Sequence, residues 1–211
     1  MEINVSPSAA ATEIEFFFDI ASTYSYLAST QIDALGERVG VAVRWRPMLL
    51  GGVIKATGNR VPIEVPAKAR YMLHDLRDWA DLYGIELRFP QHFPPNTIPI
   101  QRVLSALSDA DARVLAKALF TAYWTQNQNL SDLAVLAHVI HAAGFPSVEL
   151  LARAQDQDIK DRLRATTDEA VARGAFGAPT FFVGDRMFWG NDRLPLLERY
   201  LVALNGAAIG I

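Results

Sequence analysis

The fold is set by a short segment near the N-terminus, Glu13-Ile14-Glu15-Phe16-Phe17-Phe18-Asp19-Ile20-Ala21-Ser22-Thr23-Tyr24-Ser25-Tyr26-Leu27. Its first part alternates and then becomes continuously apolar, which predicts a short buried strand in a covered sheet. A helix is predicted to follow, capped by Ser22 or Thr23 and ended by Gly36 and Gly40. Residues 41–46 predict a second strand. Because a helix connects the two strands, they are expected to pair in parallel.

Outward from this unit, the middle of the chain is predicted to be helical. A Gly-rich loop over 50–59 leads into a long amphipathic helix over 67–83. Four prolines within residues 90–99 predict an irregular loop, because proline lacks an amide donor and fixes φ. Further helices are predicted over 100–107, 109–126, 130–143, 147–154 and 156–173.

The pattern changes back to strands near the C-terminus. Pro179-Thr180-Phe181-Phe182-Val183 and Arg186-Met187-Phe188-Trp189 flank the turn Gly184-Asp185, which predicts a hairpin, and a last helix is predicted over 193–204. The order β-α-β, helices, β-β-α predicts an α/β chain with a thioredoxin-like fold and a large all-helical insertion. We expect a flexible N-terminal arm over 1–12, a thioredoxin-like domain formed by 13–60 and 174–211, and a helical insertion domain over 61–173.

Composition excludes several classes of function. Hydrophobic residues make up 51% and charged residues 20%, as in folded globular proteins. The net charge of -3 comes without any basic block, so a nucleic-acid partner is not expected. The apolar stretches are too short for a membrane span, and the start of the chain lacks the features of a secretory signal, so a cytoplasmic location is expected.

The chain contains no cysteine. A disulfide framework, a thiolate metal site and a cysteine nucleophile are therefore excluded, and any thiol chemistry has to come from a ligand. His138 and His141 share a helix face without an acidic or thiol partner at metal-site spacing, so no metal is expected.

The predicted topology brings three segments together, and each has two interpretations. Ser22 caps a helix, or it also faces an anion such as a bound thiolate at the positive end of that helix. The Ala178–Pro179 bond starts an edge strand, or it is cis and turns the Ala178 backbone toward an extended peptide such as glutathione. Asn191 or Asp192 caps the last helix, and the same helix start could hold the γ-glutamyl end of glutathione.

Four motifs in order resemble the 2-hydroxychromene-2-carboxylate isomerase family, which is related to kappa-class glutathione transferases and DsbA-like disulfide oxidases. The resemblance runs from Glu13 to Leu201, and its motifs are the segment Phe17 to Leu27, Lys55-Ala56-Thr57-Gly58-Asn59, Phe176-Gly177-Ala178-Pro179-Thr180 and Phe188-Trp189-Gly190-Asn191-Asp192-Arg193. It implies glutathione as a bound cofactor and Ser22 as the catalytic residue that contacts its sulfur. The residues that it implies for glutathione binding are Ser22, Thr23, Tyr24, Ala178, Pro179, Gly190, Asn191 and Asp192. Thr23 stands where the family usually has a proline.

The resemblance also implies a side of the site for a second, small-molecule substrate, formed by Ile54, Lys55, Asn59, Phe93 and Asn96. Each of these residues has an ordinary structural interpretation beside this one. Lys55 can be a solvated charge, Asn59 a turn residue and Phe93 a core residue.

The function that the resemblance implies is glutathione-dependent isomerisation of an aromatic-derived unsaturated carboxylate by reversible thiolate addition. One alternative is a kappa-class-like glutathione transferase that leaves glutathione attached to an electrophile. Another is a cysteine-free, thioredoxin-fold binding module without catalysis. By analogy with the relatives, we expect a homodimer.

Overall fold

The computed structural model describes residues 13–208 and contains one mixed sheet. Its strands are β1 (Glu13–Phe18), β2 (Ala42–Pro47), β3 (Thr180–Val183) and β4 (Arg186–Trp189), in the spatial order β2-β1-β3-β4. β1 pairs in parallel with β2, whereas β3 runs antiparallel to both β1 and β4. The predicted parallel pair and the predicted hairpin are both confirmed.

Helices cover both the crossover after β1 and the long connection between β2 and β3. Their bounds are α1 Thr23–Ser29, α2 Ile32–Val39, α3 Leu50–Thr57, α4 Pro66–Tyr83, α5 Ile98–Ser105, α6 Asp109–Trp124, α7 Leu133–Ala142, α8 Ser147–Arg153, α9 Gln157–Ala172 and α10 Leu194–Ala208. Short 3₁₀ turns, Pro62–Glu64 and Asn191–Arg193, precede α4 and α10. The five helices predicted after residue 99 are confirmed, with ends that differ by at most three residues.

The sheet is fixed to the helices by aromatic side chains and a few buried hydrogen bonds. Phe16 of β1 stacks on Phe181 of β3 at 5.1 Å between ring centroids. The indole Nε1 of Trp124 on α6 donates to the carbonyl of Ile20 at 2.9 Å. Gln101 of α5 donates to the carbonyls of both Phe18 and Met48, each at 2.8 Å, which joins the ends of β1 and β2. These bonds hold the turn after β1 in place.

The Gly-rich loop predicted over 50–59 is wrong, because this segment forms α3 and ends at Gly58 with a φ of 66°. Side chains that are distant in sequence accept from its first amides. The Leu50 N–H donates to Asp19 Oδ2 at 2.8 Å, and the Leu49 N–H donates to Thr167 Oγ1 at 3.1 Å. Such tertiary bonds, with the burial of Val53, outweigh the weak helix propensity of glycine.

The single helix predicted after Ser22 is also wrong, since the chain forms α1 and α2 with a break at Thr30 and Gln31. The Thr30 hydroxyl donates back to the carbonyl of Leu27 at 2.7 Å, as a residue at a helix end does. Gly36 does not end the helix. It lies inside α2, where a Cβ atom would stand 2.7 Å from the Val41 carbonyl oxygen, so glycine allows α2 to approach β2 closely.

The division into domains stays a prediction. The boundary predicted at 60 lies between α3 and the 3₁₀ turn before α4, and the boundary predicted at 173 lies between α9 and β3. The arm predicted over 1–12 lies outside the described residues. Across residues 13–208, no helix has both the length and the apolar character that a bilayer span needs.

Candidate active site

A cavity of about 700 Å³ opens where the turn after β1, the segment from α3 to α4, and the loops beside β3 and β4 meet. All three segments that the sequence predicted to converge contribute to its lining. The cavity is large enough for a ligand of several hundred daltons. Its walls combine apolar side chains with a small number of polar groups, as binding sites for small molecules do.

Ser22 lies at the centre of the hydrogen bonding on one wall. It is the N-cap of α1, with φ -89° and ψ 114°, which decides between the two capping residues that the sequence left open. Its Oγ accepts from the Ser25 N–H at 3.1 Å and donates to the Ala178 carbonyl at 3.0 Å. Only 6% of Ser22 is exposed. The hydroxyl therefore joins the start of α1 to the loop before β3.

The turn that presents Ser22 is held by a buried carboxyl group, that of Asp19, which is 1% exposed. Asp19 Oδ1 accepts from the Ala21 N–H at 3.0 Å, and Oδ2 accepts from the Leu50 N–H at 2.8 Å and the Thr97 hydroxyl at 3.2 Å. Burial raises the pKa of Asp19 to about 6, although these hydrogen bonds act against the shift. The sequence analysis missed Asp19, because a polar residue after a strand ordinarily indicates only a turn.

The loop before β3 presents backbone groups to the cavity. The Ala178–Pro179 peptide bond is cis, so this prediction is confirmed. Among the described residues, the Ala178 carbonyl has the Ser22 hydroxyl as its partner, and the Ala178 N–H has no acceptor. Pro179, the last residue of this loop, is buried and is not part of the lining.

Trp189 at the end of β4 packs across the same loop. Its indole lies 4.6 Å from the ring of Phe176, measured between centroids. A Cβ atom on Gly177 would lie 2.6 Å from the indole Nε1, so this contact requires glycine. Trp189 and Phe176 line the cavity, and the sequence analysis had not assigned either of them to the site.

Gly190, Asn191 and Asp192 form the next part of the wall. Gly190 has a φ of 102°, a conformation that favours glycine, and its N–H donates to the Pro179 carbonyl at 3.0 Å. Asn191 is only 2% exposed, and its Nδ2 has no hydrogen-bond partner within 3.5 Å among the described residues, although the Asn191 side chain is near enough to the Tyr83 hydroxyl to oppose the rise that burial causes in the pKa of Tyr83. A buried amide donor without a partner is unfavourable, so a ligand that supplies an acceptor here would be stabilised.

One face of α4 forms the opposite wall, and the sequence analysis missed it. Lys68, Tyr71, Met72, Asp75 and Trp79 line the cavity, at the i, i+3, i+4, i+7 and i+11 spacing of a single helix face. At 1.5 Å per residue, Lys68 and Asp75 stand about 10 Å apart along the helix axis. This pattern cannot be distinguished in the sequence from a helix face that packs on a core.

Tyr24 connects α1 to this helix. Its hydroxyl donates to Asp75 Oδ2 at 2.7 Å. Burial, together with the neighbouring Asp75 carboxylate, raises the pKa of Tyr24 above its ordinary value. Tyr24 therefore stays protonated at neutral pH, and the pair fixes α1 against α4. Thr23, between Ser22 and Tyr24, also lines the cavity.

Of the five residues predicted on the substrate side, three line the cavity and two do not. Ile54, Asn59 and Phe93 line the cavity. Lys55 is exposed on the last turn of α3, outside the lining. Asn96 is likewise exposed and outside the lining, and its Oδ1 accepts from the Ile98 N–H at 3.3 Å.

Cations reach the cavity from positions that the sequence analysis did not single out. Arg60 and Lys68 line it, and neither forms an ion pair with any residue between 13 and 208. Asn59 is tied to the site by its Nδ2, which donates to the Phe176 carbonyl at 2.7 Å. Arg60 follows Asn59 directly and donates its N–H to Asn59 Oδ1 at 2.8 Å. The cavity thus presents unpaired positive charge on this side.

Comparison with known proteins extends over almost the whole chain. The family model of the DsbA-like thioredoxin domain matches residues 13–202. A protein of Pseudomonas putida named 2-hydroxychromene-2-carboxylate isomerase is 33% identical over 189 residues, which are 88% of this chain and 92% of that protein. A glutathione S-transferase kappa 1 of Rattus norvegicus is 28% identical over 203 residues, which are 89% of this chain and 90% of that protein.

A solved structure gives the same result at the level of the backbone. The structure of a selenomethionine-labelled 2-hydroxychromene-2-carboxylate isomerase superposes with a TM-score of 0.85 at 30% sequence identity. The superposition covers 94% of this chain and 99% of that one.

Proposed function

This chain belongs to the DsbA-like thioredoxin domain family and, within it, to the 2-hydroxychromene-2-carboxylate isomerase family. From that premise we propose that it isomerises an aromatic-derived unsaturated carboxylate with the help of bound glutathione. The chain is an enzyme, like the isomerases and transferases to which it is similar. The observation that carries the proposal is the contact between the Ser22 hydroxyl and the Ala178 carbonyl, at the wall of a cavity with room for both ligands.

The polar groups of the cavity fit glutathione. The Ala178 carbonyl and its unpaired N–H are the backbone pair with which an extended peptide would form hydrogen bonds. The unpaired Nδ2 of Asn191 is a donor for a carboxylate or carbonyl oxygen. Asp192 lies next to it and offers a carboxylate to an ammonium group.

The charges along α4 fit the two ends of the same ligand. Glutathione carries a carboxylate at its glycyl end, and an ammonium group with a second carboxylate at its γ-glutamyl end. Lys68 can balance the first carboxylate, and Asp75 lies about 10 Å further along the helix, on the side of Tyr24. This separation supports binding of an extended peptide that is charged at both ends.

The rest of the cavity fits an aromatic acid. Leu50, Ile54, Met72 and Phe93 give an apolar surface beside Ser22. Arg60 offers a guanidinium that pairs with no residue in the described part of the chain, and its planar group is suited to a planar carboxylate. We therefore propose Arg60, in place of Lys55, as the contact for the carboxylate of the substrate.

When bound, glutathione supplies a thiolate that adds reversibly to a conjugated double bond, which allows rotation about the resulting single bond before the thiol is eliminated. The contribution of Ser22 is a hydrogen bond that favours the charged form of the thiol. Hydrogen bonds to charged groups stabilise by about 1.5–3 kcal/mol. At 1.36 kcal/mol per unit, such a bond lowers the pKa of a thiol by about one to two units.

The size of this effect predicts how a Ser22→Ala variant behaves. A rise of one to two units in the pKa of the thiol reduces the thiolate fraction about 10- to 100-fold at a pH below the pKa, but a more basic thiolate is also the stronger nucleophile. With a Brønsted coefficient of about 0.5, the net decrease in kcat is about 3- to 10-fold. Steady-state kinetics with saturating glutathione measures it. A Ser22→Ala enzyme with unchanged kcat would contradict the proposed role.

A glutathione transferase remains the second candidate, because kappa-class transferases match the chain over a similar length. Both reactions use the same thiolate site, and only the isomerase returns glutathione. Mass spectrometry after incubation with glutathione and a conjugated unsaturated acid separates them. An unchanged substrate mass with an altered absorption spectrum supports isomerisation, whereas a product heavier by one glutathione supports transfer.

We also propose a cytoplasmic location, since thiols are kept reduced in that compartment.

A homodimer is proposed from the resemblance to the family alone. Size-exclusion chromatography with light scattering measures the mass in solution, and a monomer mass at working concentration would contradict the dimer.

A further inference from the structure

The Ser22 hydroxyl has no spare proton in this structure. A serine hydroxyl carries one hydrogen, and here that hydrogen points to the Ala178 carbonyl at 3.0 Å, since a carbonyl oxygen can only accept. The same Oγ accepts from the Ser25 N–H at 3.1 Å. Ser22 cannot donate to a thiolate until it leaves the Ala178 carbonyl.

The Ala178 carbonyl in turn depends on Ser22. No other donor reaches it within the described part of the chain. The Ala178 carbonyl lies on the cavity wall. Once a bound ligand covers this wall and excludes water, a carbonyl without a partner is unfavourable, so Ser22 leaves Ala178 only if the ligand brings a second donor. The Ala178 N–H next to it has no acceptor among residues 13–208, and the carbonyl oxygen has a second lone pair, so an approaching peptide can bond to both groups while Ser22 is still in place.

We propose that Ser22 is released to activate a thiol only by a ligand that donates its own N–H to the Ala178 carbonyl. This inference rests on the proposed function. In it, recognition of the peptide backbone and activation of the thiol are one coupled event. The site then selects thiols that carry an amide N–H on the cysteine nitrogen and gives little activation to simple thiols. The exchange is nearly balanced, since one hydrogen bond to the carbonyl replaces another.

The test compares two ligands. The first is glutathione, and the second is its ester analogue, in which an oxygen atom replaces the N–H between the γ-glutamyl group and the cysteine. Each is bound at saturating concentration, and the pKa of its thiol is measured from the ultraviolet absorbance of the thiolate as a function of pH. The proteins are wild type, Ser22→Ala and the matched control Ser25→Ala, which removes a buried hydroxyl without a partner from the same turn.

The expected result is an effect of Ser22 that depends on the N–H. With glutathione, Ser22→Ala raises the pKa of the bound thiol by about one to two units, and Ser25→Ala leaves it unchanged. With the ester analogue, wild type and Ser22→Ala give the same pKa. An equal effect of Ser22→Ala on both ligands would overturn the inference and leave glutathione binding intact.

A second measurement does not depend on the analogue. S-methylglutathione keeps the N–H but has no thiolate, so Ser22 gains no bond by leaving the Ala178 carbonyl and adds none to this ligand. Calorimetry should show that it binds Ser22→Ala at least as tightly as wild type. Tenfold weaker binding of S-methylglutathione to Ser22→Ala than to wild type would overturn the inference. This comparison alone tests the inference if the ester analogue does not bind. Failure of glutathione itself to bind wild type would instead reject the proposed function.

Discussion

Replacement of Asp19 by asparagine should change how the stability of the protein depends on pH. Asp19 is 1% exposed, and its pKa is raised from 3.8 to about 6 in the folded chain. The native state therefore holds this proton more tightly than the unfolded state. Between pH 4 and pH 6 the native state has more protons bound, so the contribution of Asp19 to the free energy of unfolding decreases as pH rises.

The magnitude follows from the shift. The difference between 3.8 and about 6 is roughly two units, which corresponds to about 3 kcal/mol at 1.36 kcal/mol per unit. Asparagine does not ionise, so it lacks this dependence. The variant also loses an acceptor for one of the three donors on Asp19, but that loss is the same at every pH.

Urea denaturation of both proteins at intervals from pH 4 to pH 8 is the assay. The free energy of unfolding of Asp19→Asn, relative to wild type, should increase by about 2.5 kcal/mol from pH 4 to pH 8, most of the full difference. The other ionisable groups are common to both proteins and cancel in the difference. Parallel curves for the two proteins would refute the inference that Asp19 is buried with a raised pKa.

Two further predictions concern the walls of the cavity. Arg60→Ala should raise the KM for the carboxylate substrate, and Lys68→Ala the KM for glutathione, each by about 5- to 30-fold. The matched control Lys55→Ala, outside the lining, should leave both KM values within about twofold, and an equal effect of all three variants would contradict the assignment. Gly177→Ala should displace the indole of Trp189, shift the tryptophan emission to longer wavelength and weaken glutathione binding about tenfold or more, and unchanged emission with unchanged affinity would contradict the contact.

The order of strands and helices could be predicted from the sequence because each signal was local. Phe16 to Phe18 form a continuous apolar run, and the Gly184-Asp185 turn lies between two strand patterns. Errors arose where a tertiary contact decided the outcome. The helix α3 depends on Asp19 and Thr167, which lie 31 and 118 residues away from the amides that they bind.

The site could be predicted in part for the same reason. Ser22, Ala178 and Asn191 lie at the ends of strands and helices, where the topology itself brings segments together. The α4 face that includes Asp75 stayed hidden, because the spacing that turns it toward a cavity is the spacing that turns other helices toward a core. The buried role of Asp19 could not be predicted, since its partners come from three separate segments.

A crystal structure of the protein with glutathione tests the central claim most directly. The account predicts that the sulfur lies within hydrogen-bond distance of Ser22 Oγ, that the cysteine backbone of the ligand pairs with Ala178, and that the γ-glutamyl end reaches Asn191 and Asp192. Glutathione bound elsewhere, or bound in the cavity with its sulfur away from Ser22, would contradict it.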